Sequence, residues 1–290
     1  MVRTQNKLFF FFLAPALISV LIFTVLPSIW AVAISFTNMA LAGPNALDYT
    51  FIGVRNYVRL VSDPNFRHSV NLSLQYTLFT NIGQFVLGLI AALILNRRKL
   101  RWQGVLLAVI VLPMVIPGIM QSLIWGSMLG AKEFGTLNRI VGLFNVEPIL
   151  WLRQAPMLSV VLVNFWNNSG FAMILFLAGL ESIPGEVLES ATMDGANGWQ
   201  MLIRIKLPLI RYVVMLWLLL NTIGLLGAFD IIFTLTRGGP GNATEVMGLY
   251  IYKQGFQFFE LGYGSAASMV MLVISLVIAF FYLRLLRVEV

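Results

Sequence analysis

The chain has 290 residues, of which 59% are hydrophobic and 11% charged, and its mean hydropathy is +0.87. Soluble domains contain roughly 45 to 50% apolar residues, so the composition indicates an integral membrane protein and excludes a separate soluble domain of ordinary size beside the spans. We interpret the formal charge of +7 as a marker of membrane topology rather than of nucleic-acid binding, and the absence of cysteine excludes disulfides and cysteine-ligated metals.

Six apolar stretches are long enough to cross a bilayer core about 30 Å thick, which takes roughly 20 helical residues. We predict an all-α polytopic membrane protein forming one domain over residues 1–290, with spans at residues 8–36, 74–95, 104–128, 157–180, 209–235 and 264–286. The first stretch is longer than the apolar core of a signal peptide, about 7 to 15 residues, so we expect a retained helix. Pro113 and Pro117 predict kinks in the third span.

Lysine and arginine predict the orientation of the spans. Cytoplasmic loops are enriched in these residues, and the run Arg97–Arg101 contains four cations in five residues. Placing this run inside the cell also places both chain termini in the cytoplasm.

Polar side chains interrupt the fourth and fifth spans. Such groups are costly in a bilayer, so they mark either a substrate pathway or helix contacts. In the fourth span, amides adjoin aromatic rings, a combination that suits a sugar because hydroxyls need donors and acceptors while C–H faces stack on rings. Hydrogen bonding between helices is the alternative. The candidates are Asn164, Trp166, Asn167, Asn168 and Phe171, followed in the fifth span by Asn221 and Asp230.

Asp230 is the only Asp or Glu within a predicted span. Its carboxylate could bind a pair of hydroxyls, receive a cationic group, or contact a partner protein. Because no Lys or Arg lies in a span core, we expect a substrate that is not anionic.

A cytoplasmic elbow, residues 181–208, joins the fourth and fifth spans. We predict a helix starting near Ser182 and Pro184, a stop at Gly195, and a second helix opened by a capping box of Asn197 and Gln200. Small residues let another surface approach the backbone closely, which favours a docking site. An ordinary connecting loop is the alternative.

The elbow resembles the EAA signature of binding-protein-dependent ABC importer permeases. The matching residues are Glu189-Ser190-Ala191, Asp194-Gly195-Ala196, Ile205 and Leu207-Pro208, with Ser190 in place of an alanine. The blocks "FIGVRNYVRLVSDPNF", "VLPMVIP" and "LTRGGPGNATEVMGLYIYKQGF" resemble the carbohydrate-uptake branch, in particular its maltose-type first permease subunit. The resemblance covers nearly the whole chain.

This resemblance implies a type I importer permease fold with six transmembrane helices in a prokaryotic inner membrane. It implies that the elbow is a coupling helix that docks into a cytoplasmic ATPase, through Glu189, Ser190, Ala191, Asp194, Gly195, Ala196 and Asn197. The implied partners are a second homologous permease, two ATPase subunits that bind ATP and Mg, an extracytoplasmic sugar-binding protein, and membrane lipid.

The resemblance also implies substrate positions. They are Asn167, Asn168 and Phe171 in the fourth span, and Asn221, Leu225 and Ala228 in the fifth. Leu225 and Ala228 are apolar where the maltose-type pattern is rich in amides, which argues against maltose itself.

Two other functions remain as alternatives. An ion-coupled secondary transporter would need carboxylates within the spans and internal repeats, and a membrane-embedded glycosyl-transfer enzyme would need clustered carboxylates or a metal site. The sequence contains no G-x-x-x-x-G-K-[ST] motif, so we expect no ATPase site in this chain. Its acidic residues are scattered and His68 is its single histidine, so we expect no catalytic, metal or cofactor site either.

Overall fold

The computed structural model describes residues 13–96, 102–131 and 135–286. Within these ranges all regular structure is helical, apart from one isolated bridge between Thr37 and Phe51, which confirms the all-α prediction. The run Arg97–Arg101 and residues 8–12 of the predicted first span lie outside the described residues.

The helices differ widely in length. In chain order they are α1 (Leu13–Ile34), α2 (Arg55–Ser62), α3 (Pro64–Leu95), α4 (Gln103–Val115), α5 (Gly118–Met128), α6 (Thr136–Gly142), α7 (Trp151–Gln154), α8 (Pro156–Glu181), α9 (Gly185–Met193), α10 (Gly198–Leu209), α11 (Arg211–Leu226), α12 (Asp230–Leu235), α13 (Met247–Tyr252) and α14 (Leu261–Leu286).

Four of these helices, α1, α3, α8 and α14, are long and apolar enough to cross a membrane unbroken. Two further pairs meet the same test together but are bent, α4 with α5 by 101° and α10 with α11 by 69°. Counting each bent pair as one span gives six.

Most helix boundaries lie near the predicted span limits, and α3 is the exception. It begins at Pro64 rather than at residue 74. The prediction missed its first turns because they carry polar residues such as Asn65, Arg67 and His68. A hydropathy window detects the apolar length that a bilayer requires. It does not detect a polar extension of the same helix.

The predicted third span is broken rather than kinked. α4 ends at Val115, Ile116 and Pro117 are extended with ψ of 130° and 138°, and α5 begins at Gly118. The ring of Pro117 disfavours helical geometry at Ile116, so the sequence itself ends α4 at this point.

The predicted fifth span is interrupted as well. α11 ends at Leu226, and α12 begins at Asp230. The carbonyls of Gly227 and Ala228 pack against Gly248, where a Cβ atom would lie 3.2 and 2.6 Å from them. The break therefore depends on a contact with a glycine in α13.

The sequence predicted one domain, and the chain divides into two compact units. One comprises Met1–Arg67 with Tyr250–Val273, and the other His68–Leu249 with Ile274–Val290. We describe each separately.

The first unit contains a polar cluster around Asp63. Its carboxylate accepts hydrogen bonds from the hydroxyls of Tyr250 (2.6 Å) and Tyr263 (3.1 Å). Arg59 pairs with Glu260 at 2.7 Å and lies over the Tyr263 ring. Partial burial acts to raise the pKa of Asp63, but the hydrogen bonds from Tyr250 and the Asn65 backbone outweigh it and lower the pKa. The cluster joins residues near 60 to residues near 260.

The second unit has an aromatic core. Trp217 of α11 packs against Phe176 of α8 and Phe85 of α3, with ring centroids 5.2 and 6.2 Å apart. Gly170 allows α8 to approach α4 closely, because a Cβ atom there would lie 2.7 Å from the Ile110 carbonyl oxygen. These contacts fix the helices that carry the candidate site.

Candidate functional site

A cavity of about 650 Å³ lies among the spans of the second unit. Its walls come from α3, α4, α5, α8, α11 and α12, and both helix breaks, Ile116–Pro117 and Gly227–Phe229, open onto it. A cavity of 300 to 1,000 Å³ is typical of small-molecule sites. Among the described residues that line it, none is Lys or Arg.

The α8 wall presents Asn164, Asn167, Asn168 and Phe171 to the cavity. Their spacing of three, four and seven residues places them on one face of a helix. Asn164 and Asn167 are largely buried, so their side chains are shielded from lipid.

The α11 wall follows the same spacing. It presents Asn221, Gly224 and Leu225, and Ala228 follows in the break and Asp230 at the start of α12. Gly118 lies beside Asp230, since a Cβ atom on Gly118 would be 3.6 Å from the Asp230 Cβ. The structure thus brings together all the predicted substrate residues except one.

Trp166 is the exception. It is not among the residues that line the cavity, and its ring packs edge-on against Trp125 of α5 at 5.4 Å. Trp166 is two positions from both Asn164 and Asn168 in the chain, which turns it to another face of α8.

Buried amides behind the cavity hold its asparagines. Gln84 of α3 donates to the Asn164 side-chain oxygen (2.9 Å) and accepts from the Asn221 amide (2.5 Å). Asn221 also donates to Asn81 (2.8 Å), which donates to Thr222 (3.1 Å). Hydrogen bonds thus connect α3 with both α8 and α11.

A second buried glutamine, Gln121, forms hydrogen bonds at the helix break. Nε2 of Gln121 in α5 lies within hydrogen-bonding distance of three acceptors, the carbonyl oxygens of Pro113 and Ile116 and, at 2.6 Å, Asn167 Oδ1, and shares its two hydrogens among them. The break at Pro117 frees carbonyls from helical bonding, and Gln121 satisfies two of them.

The elbow has the local structure that its sequence predicts. Gly195 has φ of +80°, and the amides of Gly195 and Ala196 bond to the carbonyls of Thr192 and Ala191 at 3.1 and 3.0 Å, as in a Schellman motif. Asn197 and Gln200 form the capping box. These predictions are confirmed. The predicted helix start is confirmed at Pro184, the N-cap of α9, whereas Ser182 caps the end of α8 and not the start of α9.

The elbow exposes most of the predicted coupling residues. Glu189, Ser190, Asp194, Gly195 and Asn197 are exposed, Ala196 is half-buried, and Ala191 is buried. Two large apolar side chains stand out beside them, Met193 with 88% and Trp199 with 70% of its surface exposed. Glu189 also lines a second cavity, of about 780 Å³, together with Lys206.

The described part of the chain contains no cluster of three or more His, Asp or Glu side chains that could hold a metal ion.

Comparison with known proteins identifies the family. Residues 84–287 match the binding-protein-dependent transport system inner membrane component. The chain belongs to this family. It is 34% identical to the trehalose/maltose transport system permease protein of Thermococcus litoralis, over 97% of this chain and 94% of the relative.

Two further similarities agree with this assignment. The permease is 32% identical to the sulfoquinovosyl glycerol transport system permease protein of Agrobacterium fabrum, over 96% of this chain and 89% of the relative. A chain of a bacterial alginate ABC transporter, solved with an alginate pentasaccharide-bound periplasmic protein, has the same fold: the TM-score is 0.84 at 24% identity, over 98% of this chain and 95% of that one. The protein is thus an inner-membrane transport permease rather than an enzyme.

Sequence reasoning missed two sets of residues in this permease. Asn81, Gln84 and Gln121 lie in predicted spans, and the cost of polar groups in a bilayer could have singled them out. Met193 and Trp199 lie in the elbow, where large apolar side chains in a solvated segment could have indicated a contact surface.

Proposed function

We propose that this permease imports a neutral sugar across a prokaryotic inner membrane, driven by ATP hydrolysis in separate subunits. The observation that carries the proposal is the cavity, whose described lining includes four asparagines and one aspartate but no Lys or Arg. Amides offer both donors and acceptors to hydroxyl groups.

The proposed binding residues are Asn164, Asn167, Asn168, Phe171, Asn221, Leu225, Ala228 and Asp230. Phe171 supplies a ring on which C–H faces of a sugar can stack. Trp166 acts from outside the cavity, through its packing against Trp125. Leu225 and Ala228 limit the polar contacts on the α11 wall, so we propose a neutral sugar other than maltose.

The elbow is proposed to dock onto the ATPase. Met193 and Trp199 offer the exposed apolar anchors that protein interfaces bury at their centre, and Glu189, Ser190, Asp194, Gly195, Ala196 and Asn197 surround them. Ala191 supports the turn from inside. When ATP closes the ATPase pair, the elbow moves as a lever and turns the spans from inward to outward opening.

The proposed assembly contains a second homologous permease, two ATPase subunits and an extracytoplasmic sugar-binding protein. Both termini of this chain are proposed to lie in the cytoplasm, together with the elbow and the cations Arg204 and Lys206 that follow it. ATP and Mg belong to the partner ATPases.

The test is reconstitution of the whole transporter, with its binding protein, in liposomes. We expect ATP hydrolysis and uptake to be stimulated by at least one of trehalose, lactose and glucose in a neutral panel that also contains maltose, and not by maltose or by anionic sulfoquinovosyl glycerol. Absence of stimulation by every neutral sugar would refute the proposal. Uptake by this chain alone under an ion gradient would instead support a secondary transporter.

A further inference from the structure

We propose that Gln84 and Gln121 are positioning residues that decide which hydrogen-bonding atom each asparagine presents to the substrate. Neither glutamine lines the cavity, and their exposed fractions are 0% and 1%. The inference rests on the proposed sugar transport and adds a rule for substrate selection at the same site.

On the α11 wall, the network leaves an acceptor. A side-chain amide has two N–H donors and one oxygen. Asn221 uses its nitrogen to donate to Gln84 Oε1 (2.5 Å) and Asn81 Oδ1 (2.8 Å). Its oxygen is therefore the atom available to the cavity. Asp230 on the same side adds a carboxyl group, which in its ionised form can accept hydrogen bonds but cannot donate them.

On the α8 wall, the network leaves donors. The side-chain oxygen of Asn164 accepts from Gln84 Nε2 (2.9 Å) and from Asn168 Nδ2 (3.4 Å). The oxygen of Asn167 accepts from Gln121 Nε2 (2.6 Å). The amide nitrogen of Asn164 faces the Tyr76 hydroxyl, which also lines the cavity, and Asn167 keeps its amide nitrogen for another partner.

The two glutamines are themselves held in one orientation. Gln84 also donates to the Asn164 backbone carbonyl at 3.2 Å, so reversing its amide would place oxygen against oxygen. Gln121 donates to the carbonyls of Pro113 and Ile116 at the helix break. Backbone carbonyls cannot donate, so these contacts fix which end of each glutamine carries the nitrogen.

The cavity therefore has donors on one wall and acceptors on the other. A hydroxyl can accept from the first wall and donate to the second, and a polyhydroxylated neutral molecule can match both at once. A carboxylate or sulfonate can only accept, so it meets unfavourable acceptors on the α11 wall. The inferred substrate class is a neutral sugar recognised by hydroxyls on opposite edges.

Gln84→Met tests the inference, because methionine has a similar length and no amide. The matched control is Thr80→Val in the same helix, where a fully buried hydroxyl has no hydrogen-bond partner among the described residues. The assay uses the whole transporter in liposomes with the neutral panel sugar that the wild type takes up fastest, together with its analogues in which one hydroxyl is replaced by fluorine. Fluorine removes the donor at that position.

We expect the wild type to take up at least one fluoro analogue about tenfold more slowly than the parent sugar. A factor of ten corresponds to about 1.4 kcal/mol, which is on the scale of one hydrogen bond. Gln84→Met should lower uptake of the parent sugar about tenfold and reduce that discrimination to about twofold. Sugar-stimulated ATP hydrolysis should fall together with uptake, the KM for the loaded binding protein should not change, and Thr80→Val should behave as the wild type. A merely structural role would lower uptake of the parent sugar and of its fluoro analogues by the same factor.

Gln84→Glu provides a second variant if the Met variant assembles poorly, since it keeps the acceptor for Asn221 and loses the donor to Asn164. Unchanged discrimination between the parent sugar and its fluoro analogue in an assembled variant would overturn the positioning role and leave the proposed transport intact. No uptake of any panel sugar by the wild type would overturn both.

Discussion

The elbow and the cavity both depend on amide hydrogen bonds, but these bonds join residues at very different separations in the chain. In the elbow, Asn197 and Gln200 are three residues apart, and Ala196 bonds to Ala191. In the cavity wall, Gln84 bonds to Asn164 and Asn221, which are 80 and 137 residues away. The elbow is thus shaped by its own short sequence, whereas the cavity wall forms only when several spans pack together.

Because of this difference, substitutions in the two regions should have different effects. A substitution in the elbow should leave the fold intact and affect its contact with a partner. A substitution behind the cavity should loosen the helix packing and alter recognition as well. The predictions below use this contrast.

The largest expected effect is loss of coupling in Gly195→Trp. Beyond its chain neighbours, a Cβ atom at this glycine would meet nothing within 4 Å in the described part of the chain, so the variant should insert and fold. A bulky ring at a docking surface should cost about 2 kcal/mol of association, about 30-fold. Sugar-stimulated ATP hydrolysis by the reconstituted transporter measures the loss, and Glu189→Lys should act in the same direction.

Two controls accompany that variant. Gly195→Ala isolates the strain of a positive φ, about 1 to 2 kcal/mol, without the bulk. Gly142→Trp places the same ring at an equally open glycine outside the elbow and should keep full coupling. Full coupling in Gly195→Trp would contradict the docking role.

A large loss of stability is expected for Gly170→Ala. The added Cβ would lie 2.7 Å from the Ile110 carbonyl oxygen, so α4 and α8 must separate, at a cost of about 1 to 3 kcal/mol. Thermal unfolding of the purified permease in detergent measures this. Gly198→Ala in the elbow, where a Cβ meets nothing within 4 Å, is the matched control. Equal shifts in the two variants would remove the contrast between the regions.

A double-mutant cycle tests the link between α3 and α11. Gln84→Met and Asn221→Leu each leave buried amide groups unpaired, at about 1 to 3 kcal/mol in the free energy of unfolding. Because the two side chains share a bond of 2.5 Å, the double variant should be more stable than the sum predicts, by about 0.5 to 3 kcal/mol. Additive losses would show that the bond contributes nothing.

The smallest effect is expected for Asn197→Ala, which removes the cap of α10. Loss of an N-cap costs about 1 kcal/mol, and in this region it should act locally. Hydrogen exchange should speed up about fivefold in the α10 amides and stay unchanged in α8. Asn197→Ser should restore the protection, since serine caps as well as asparagine. Faster exchange throughout α8 would mean that the elbow is not a local unit.

The same contrast explains how much could be predicted from the sequence. Helix existence followed from apolar length, and α8 matched its window within one residue at each end. The turn at Gly195 and the cap at Asn197 followed from local chemistry. Helical spacing also put Asn164, Asn167 and Asn168 on one wall.

Tertiary contacts decided the rest. No local rule shows that Gly248 receives the carbonyls of the break after Leu226, or that Trp166 turns towards Trp125. The asparagines gave a polar face, but their orientation depends on Gln84 and Gln121, whose positions are known only after α3 and α5 are packed against α8.

The central claim is that the elbow is the surface through which ATP hydrolysis in a partner drives this permease. The chain contains no cysteine, so Met193→Cys creates a single thiol at a side chain that is 88% exposed. We predict fast labelling by a maleimide in the isolated permease and strong protection once the ATPase subunits are assembled. Equal labelling rates in the isolated chain and in the working transporter would contradict the claim.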